Sequence, residues 1–225
     1  MNIAVEGTIG AWKSTTMKTV EQLYPDAFDC FYEPIKEWTE KTSLLTDLYQ
    51  DPKSHAFTFE VGSSLQLSRP SSDWPDTINL QERSVFTAYH VFSACQHELG
   101  NISDVQFEML TQLFERCFKV NKLSGVFYLR LKADQAFERV QSRGRPAEQT
   151  LDFQYLQRIC ELYDNISIEH ADLFAIPIKA VDATLPSEDI AKALKEFSDT
   201  LQATGPVQEF PLQLRASKNV NWRRV

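Results

Sequence analysis

A short apolar strand that runs into a glycine turn and then a helix constrains this chain more than any other feature. Residues 5–16 read VEGTIGAWKSTT, preceded by Asn2, Ile3 and Ala4. Gly7, Gly10, Lys13 and Ser14 stand at the spacing of a phosphate-binding loop. In such a loop the backbone from Gly7 through Thr8, Ile9, Gly10, Ala11 and Trp12 wraps an anion at a helix N-terminus, where N–H groups and the helix dipole attract it. The lysine then reaches the outer phosphates, and a hydroxyl, here Ser14 or Thr15, serves Mg²⁺. One letter departs from the pattern: Trp12 stands where the second glycine is usual. If that position requires positive φ, a bulky residue there costs about 1–3 kcal/mol of strain. Its ring must also point away from the phosphates. The expectation is weakened nucleotide binding rather than none, improved by Trp12→Gly.

Strand-like runs alternate with helical ones along the rest of the chain. Strands are expected at 2–6, 28–34, 77–84, 124–132 and 175–183. Helices are expected from Lys13 to Leu23, over LLTDLYQ before Pro52, from there to Leu67, over 85–98, over 103–121 with Ser103 or Asp104 as cap, from Ala133, and from Ser187 to about Leu201. Strands separated by helices imply parallel pairing through right-handed crossovers. The fold class is therefore a three-layer α/β domain with a mainly parallel five-stranded sheet flanked by helices. After Gly205 the chain becomes irregular, and residues 210–225 carry Arg215, Lys218, Arg223 and Arg224 without an acid. The expected division is a domain over 1–204 and a basic tail over 205–225.

Charge and cysteine usage narrow the function classes. A net charge of −8 argues against a general nucleic-acid binder. Cys30, Cys95, Cys117 and Cys160 form no CxxC pair, so they read as reduced thiols rather than zinc ligands. His55, His90, His97 and His170 show no ligand spacing either. No leader pattern and no long apolar run is visible, so the expectation is a cytoplasmic or nuclear protein without a membrane span.

FYEPIKEW (31–38), LYQDPKSHAFTFE (48–60), QERSVF (81–86) and ERVQSRGRPAEQ (138–149) follow the loop in order. With it they make the chain resemble the deoxynucleoside kinases over residues 1–200 or so. The resemblance implies a P-loop kinase fold with an arginine-rich lid, ATP as phosphoryl donor, Mg²⁺, a deoxynucleoside as acceptor, and a homodimer joined through the helices over 85–98 and 103–121. Glu33 matches the base that takes the 5′-hydroxyl proton, a role that needs hydrogen-bond reach. Glu82 matches a residue that helps Ser14 hold Mg²⁺, and Arg83 one that contacts the reacting oxygen. Arg139, Arg143 and Arg145 match the lid arginines, with Arg139 also against adenine. Glu148 and Tyr155, joined by Tyr49, match the residues that read the sugar 3′-hydroxyl.

For the base, the resemblance implies Trp38, Phe92 and Phe59 as aromatic walls and Ser63, Leu67 and Ala88 as the floor. Relatives selecting deoxycytidine and purines place Arg and Asp at the matches of Leu67 and Ala88, so this floor looks pyrimidine-preferring. Glu60 stands where the family has a glutamine paired with the base. An ionised carboxylate only accepts hydrogen bonds, which suits guanine, with two adjacent donors, and suits thymine or cytosine badly unless it is protonated. Guanine-type nucleosides therefore stay open as substrates beside pyrimidines. Trp12 and Glu60 also motivate a different class of function, a non-catalytic kinase-like nucleotide-binding or scaffold subunit.

Overall fold

A computed structural model of the chain describes residues 1–68, 77–169 and 176–204. The expected basic tail and His170 lie outside the described residues. Five strands form one parallel sheet in the order β2-β3-β1-β4-β5: β1 (Asn2–Glu6), β2 (Phe28–Phe31), β3 (Ile78–Glu82), β4 (Gly125–Arg130) and β5 (Ile178–Asp182). β1 is central, with Val5 opposite Glu82 of β3 and Phe127 of β4. Side chains alternate across a strand. Ile3 and Val5 of β1 and Phe127 and Leu129 of β4 thus enter one core, and Ala4, Val126 and Tyr128 the other. Both faces are covered, as parallel sheets require.

The helices follow from the same alternation. α1 (Lys13–Leu23) packs with α9 (Ser187–Thr204) on the first face, Met17 and Val20 meeting Leu194 in one cluster. On the second face lie α2 (Leu44–Gln50), α3 (Pro52–Leu67), α4 (Val85–Thr87), α5 (Ala94–Glu98), α6 (Asp104–Val120) and α8 (Phe153–Asp164), while α7 (Ala133–Arg143) runs beside the loop after β1. α6 begins at a reciprocal cap: Gln106 N–H donates to Ser103 Oγ at 3.3 Å, and Ser103 N–H to Gln106 Oε1 at 2.9 Å. No helix among the described residues is long and apolar enough to cross a membrane.

Several elements differ from the sequence expectation. The helix expected over 85–98 is interrupted by a π-helical stretch, Ala88–Ser93, between α4 and α5. Ser93 Oγ reaches the Ala88 carbonyl at 2.9 Å across the widened turn. Such insertions re-aim side chains at functional sites, and this one carries Ala88 and Phe92 to the cavity wall. Strands β2 and β3 end earlier than expected, before Glu33 and Arg83; at the end of β3, Arg83 takes φ 63 and turns the chain sharply. α8 was not anticipated; Asp152 caps it by accepting from Gln154 N–H at 2.7 Å and Tyr155 N–H at 3.0 Å.

The carboxyl ends of β1, β2 and β3 converge on one edge, where open α/β sheets place their ligands. The loop after β1 reaches that edge by backbone contacts alone. Gly10 has φ 86, and a Cβ there would sit 2.7 Å from the Ala136 carbonyl oxygen of α7. Gly10→Ala is therefore expected to cost about 1–3 kcal/mol in urea denaturation. A loss below about 0.5 kcal/mol would rule out that close approach.

Candidate active site

One cavity of about 730 Å³ lies at this edge and collects almost every residue expected to act. Ile9, Gly10 and Trp12 to Thr15 form one wall, Arg139, Arg143 and Arg145 the lid side, Glu33, Glu82 and Arg83 the floor, and Trp38, Phe59, Glu60, Ser63, Leu67, Ala88 and Phe92 the deep end. Tyr49, Glu148 and Tyr155 complete it. Gly7, Thr8 and Ala11 are not on its surface; they shape the loop from behind. A Cβ on Gly7 would stand 2.7 Å from the Leu129 carbonyl oxygen, so β4 leaves room only for glycine.

Lys13 opens α1 and is buried. Its ammonium donates to the Gly7 carbonyl at 3.2 Å and the Thr8 carbonyl at 3.1 Å. Burial, and then the charge of Arg83, lower its pKa to about 8. An arriving phosphate offers this cation a better partner than two carbonyls. Ser14 Oγ lies 2.8 and 2.9 Å from the two carboxylate oxygens of Glu82. A small hard cation such as Mg²⁺ takes oxygen ligands, often one carboxylate with waters and phosphate oxygens. Ser14 and Glu82, already brought together beside the phosphate loop, fit that requirement.

Trp12 meets the strained condition raised by the sequence. It adopts φ 59, ψ 31 at the N-cap of α1. Its ring, 50% exposed, turns away from the loop interior toward α7, where the Arg139 guanidinium lies 3.9 Å over the ring centroid. A cation–π contact at an exposed site contributes about 0.5–1 kcal/mol and offsets part of the strain. Arg139 also donates to the Ala183 carbonyl at 3.2 and 3.3 Å. The lid arginine is thus tied to both the loop and the end of β5.

Glu33 and Arg83 form the centre of the floor. Arg83 Nε stands 2.7 Å from Glu33 Oε1, with both side chains nearly buried. Arg83 Nη1 donates to the Gly7 carbonyl at 3.2 Å and to Tyr163 OH at 2.9 Å, and the guanidinium lies 4.5 Å over the Phe92 ring. Tyr163 OH donates in turn to Glu6 Oε2 at 3.0 Å, and Ser84 Oγ to Glu6 Oε1 at 2.6 Å. Burial pushes the Glu6 carboxyl up, opposed by the Ser84 bond and the Arg83 charge. Burial works against the Arg83 charge, but the neighbouring carboxyls, Glu33 first and then Glu6 and Glu82, outweigh it and hold Arg83 more firmly protonated than an ordinary arginine.

The lid arginines do not stand as three bare cations. Arg143 Nη2 lies 2.6 Å from Glu148 Oε2, and Arg145 Nη1 lies 2.7 Å from Glu148 Oε1. Glu148 is buried at the same wall as Tyr49 and Tyr155, whose rings meet edge to face at 6.5 Å. At the deep end Trp38 and Phe59 also meet edge to face, at 5.3 Å, and Trp38 Nε1 donates to Gln66 Oε1 at 2.6 Å. Glu60 is fully buried, and burial raises its pKa to about 8. Of the two states the sequence left open, ionised and acceptor-only or protonated, this burial favours the protonated one.

Sequence reasoning missed Glu6, Ser84, Tyr163 and Gln66. Glu6 alone left a signal, as an acid inside a short strand that is otherwise apolar. The others matter through contacts across the fold, over separations of 157 residues for Tyr163 and Glu6.

Two substitutions test this geometry. Trp12→Ala keeps the left-handed backbone strain and removes the stack on Arg139, so it is expected to lower stability by about 0.5–1 kcal/mol. Trp12→Gly removes both and is expected to be the more stable of the two variants; the reverse order in urea denaturation would refute the strain. Tyr163→Phe leaves an Arg83 donor and a Glu6 oxygen without their shared partner, an expected loss of about 1–3 kcal/mol. A neutral result in the same measurement would show that the hydroxyl does not join them.

Residues 3–203 match the sequence profile of the family described as deoxynucleoside kinase. Among curated proteins, the mitochondrial deoxyguanosine kinase of Xenopus laevis is 24% identical, over 89% of this chain and 88% of its own length. Deoxycytidine kinase 2 of Gallus gallus is 27% identical, over 80% of this chain and 81% of its own length. Mitochondrial thymidine kinase 2 of Homo sapiens is 24% identical, over 88% of this chain and 77% of its own length. With a match that spans all five strands and the whole cavity, the chain belongs to the deoxynucleoside kinase family.

Proposed function

We propose that this chain transfers the γ-phosphoryl group of ATP to the 5′-hydroxyl of a deoxynucleoside, in nucleotide salvage, with Glu33 as the base. The observation that carries this reading is Glu33 held 2.7 Å from Arg83 at the strand ends, in the same cavity as Lys13, Ser14 and the three lid arginines. Phosphoryl transfer depends mainly on positioning and charge neutralisation. Lys13 binds the outer phosphates, and Arg139, Arg143 and Arg145 close on the transferring group from the lid. Mg²⁺, held through Ser14 and Glu82, supplies charge neutralisation on the phosphate oxygens when bound. Arg83 fixes the Glu33 carboxylate beside the hydroxyl that it deprotonates. Glu148, Tyr155 and Tyr49 bind the sugar.

Pyrimidine deoxynucleosides are the preferred acceptors in this reading. The three relatives named above are called after deoxyguanosine, deoxycytidine and thymidine, so base choice has to come from this pocket. Leu67 and Ala88 bring no charge to its floor, and the flat walls of Trp38, Phe59 and Phe92 suit a small ring. The chain works as a homodimer through α4, α5 and α6, where Leu99, Val105, Met109 and Val120 expose apolar side chains.

Incubation with ATP·Mg²⁺ and each natural deoxynucleoside in turn, read by mass spectrometry, is expected to yield the 5′-monophosphate. Glu33→Gln is expected to lower kcat by at least about 100-fold while the thermal shift with ATP·Mg²⁺ persists. No product from any deoxynucleoside by folded protein would overturn the catalytic reading. The non-catalytic subunit that Trp12 raises would then stand, provided ATP·Mg²⁺ also fails to shift the melting temperature.

A further inference from the structure

The deep end of the cavity carries a carboxyl that lacks the usual means of staying ionised. Glu60, on α3, is completely buried. Its Oε2 accepts from Ser93 Oγ at 2.9 Å, and its Oε1 has no hydrogen-bond partner. Among the described residues Arg83 is the cation acting on it, and that guanidinium is already engaged by Glu33, Tyr163 and the Gly7 carbonyl. Cys95 on α5 and Tyr155 on α8 also feel Glu60, and burial keeps both neutral, pushing the Cys95 thiol up to about 12. His90 on the π-helical stretch is neutral too, lowered by burial to about 3. α2 and α6, which also pack on α3, add no charge that acts on Glu60. A buried charge without a dedicated partner takes up a proton instead.

We propose that Glu60 reads the base as a neutral carboxylic acid, and that loss of its proton switches the pocket from pyrimidines to guanine. The proposal rests on the deoxynucleoside kinase reading and deepens it. Ser93 Oγ lies 2.9 Å from both the Ala88 carbonyl and Oε2 and has one proton; with that proton turned to Oε2, the proton of the neutral acid goes to Oε1, the oxygen without a partner. Glu60 then offers one donor and one acceptor side by side, as an amide does. That pair complements cytosine, with its amino donor and ring-nitrogen acceptor, or thymine, with its N–H and carbonyl. Ionised, the same side chain offers two acceptors and complements only an edge with two adjacent donors, which is guanine's. A mispaired buried group costs about 1–3 kcal/mol. Because the pKa is about 8, the change falls within reach of ordinary assays.

The test is the ratio of kcat/KM for deoxycytidine to that for deoxyguanosine, followed from about pH 6.5 to about pH 9, since kcat/KM reports groups of the free enzyme. Deoxycytidine has no ring N–H of its own to lose. Lys13 also titrates near 8, but it serves both substrates equally and cancels in the ratio. The expected result is a fall of about fivefold to tenfold in wild type and a flat ratio in Glu60→Gln. A flat ratio in wild type, or the same fall in the variant, would overturn the proposal.

Calorimetry separates failure of this idea from failure of the kinase reading and needs no turnover. At about pH 8, in two buffers of different ionisation enthalpy, deoxycytidine binding is expected to take up protons and deoxyguanosine binding to release them. Equal proton exchange for the two, or no binding of either, would sink the proposal whether or not the chain is a kinase. Stability gives a third reading. The folded value of Glu60 lies above its ordinary 4.5, so its stabilising contribution is complete below that value and is lost as pH rises through about 8. Glu60→Gln is expected to flatten the decline of Tm over that window, and an unchanged decline would contradict the neutral acid.

Discussion

The Glu33–Arg83 contact organises this molecule. Arg83 is buried at the end of β3 with its backbone in the left-handed region, a conformation that costs on the order of 1–3 kcal/mol for a side chain of this size. What holds it there is visible around it: Glu33 from beyond β2, the Gly7 carbonyl from the phosphate loop, Tyr163 from α8 and the Phe92 ring from the π-helical stretch. One guanidinium therefore fixes the relative positions of Glu33, the loop and the cavity wall that carries Phe92. Glu6 supports it from the sheet through Tyr163, so a carboxyl inside the central strand becomes part of the active site without touching a ligand.

The phosphate loop is built on a different principle. Its shape comes from what is absent, since glycines at 7 and 10 allow β4 and α7 to approach within contact of the backbone. Trp12 breaks that economy at one point only. The chain accommodates it by turning the ring outward and laying Arg139 over it, so an awkward residue becomes a tether between loop and lid.

Much of this was legible in the sequence, for identifiable reasons. Alternation of apolar runs with helical ones marks a parallel sheet, and all five strands appear where the alternation puts them, β3 shortened where Arg83 turns the chain. The loop glycines announce themselves because only glycine serves there. Hidden features depend on geometry that no local pattern encodes. A π-helical stretch in the helix expected over 85–98 looks like ordinary helix by composition. The apolar spacing of α8, Leu156, Ile159, Cys160 and Tyr163, does mark a helix face, although no helix was expected there. The protonation state of Glu60 stays open from residue type alone, because burial decides it.

Glu148 gives the site a further property. Its carboxylate binds Arg143 and Arg145 at once, just as Glu82 occupies Ser14 and the loop carbonyls occupy Lys13. Each place prepared for a phosphate or a cation thus already has an internal stand-in. An anion reaching Lys13, Arg143 or Arg145 would therefore exchange with an oxygen already bound there. The empty site avoids the repulsion that bare arginines would suffer. In return, a ligand that took these places would gain only the difference between its own contacts and the internal ones that it replaced.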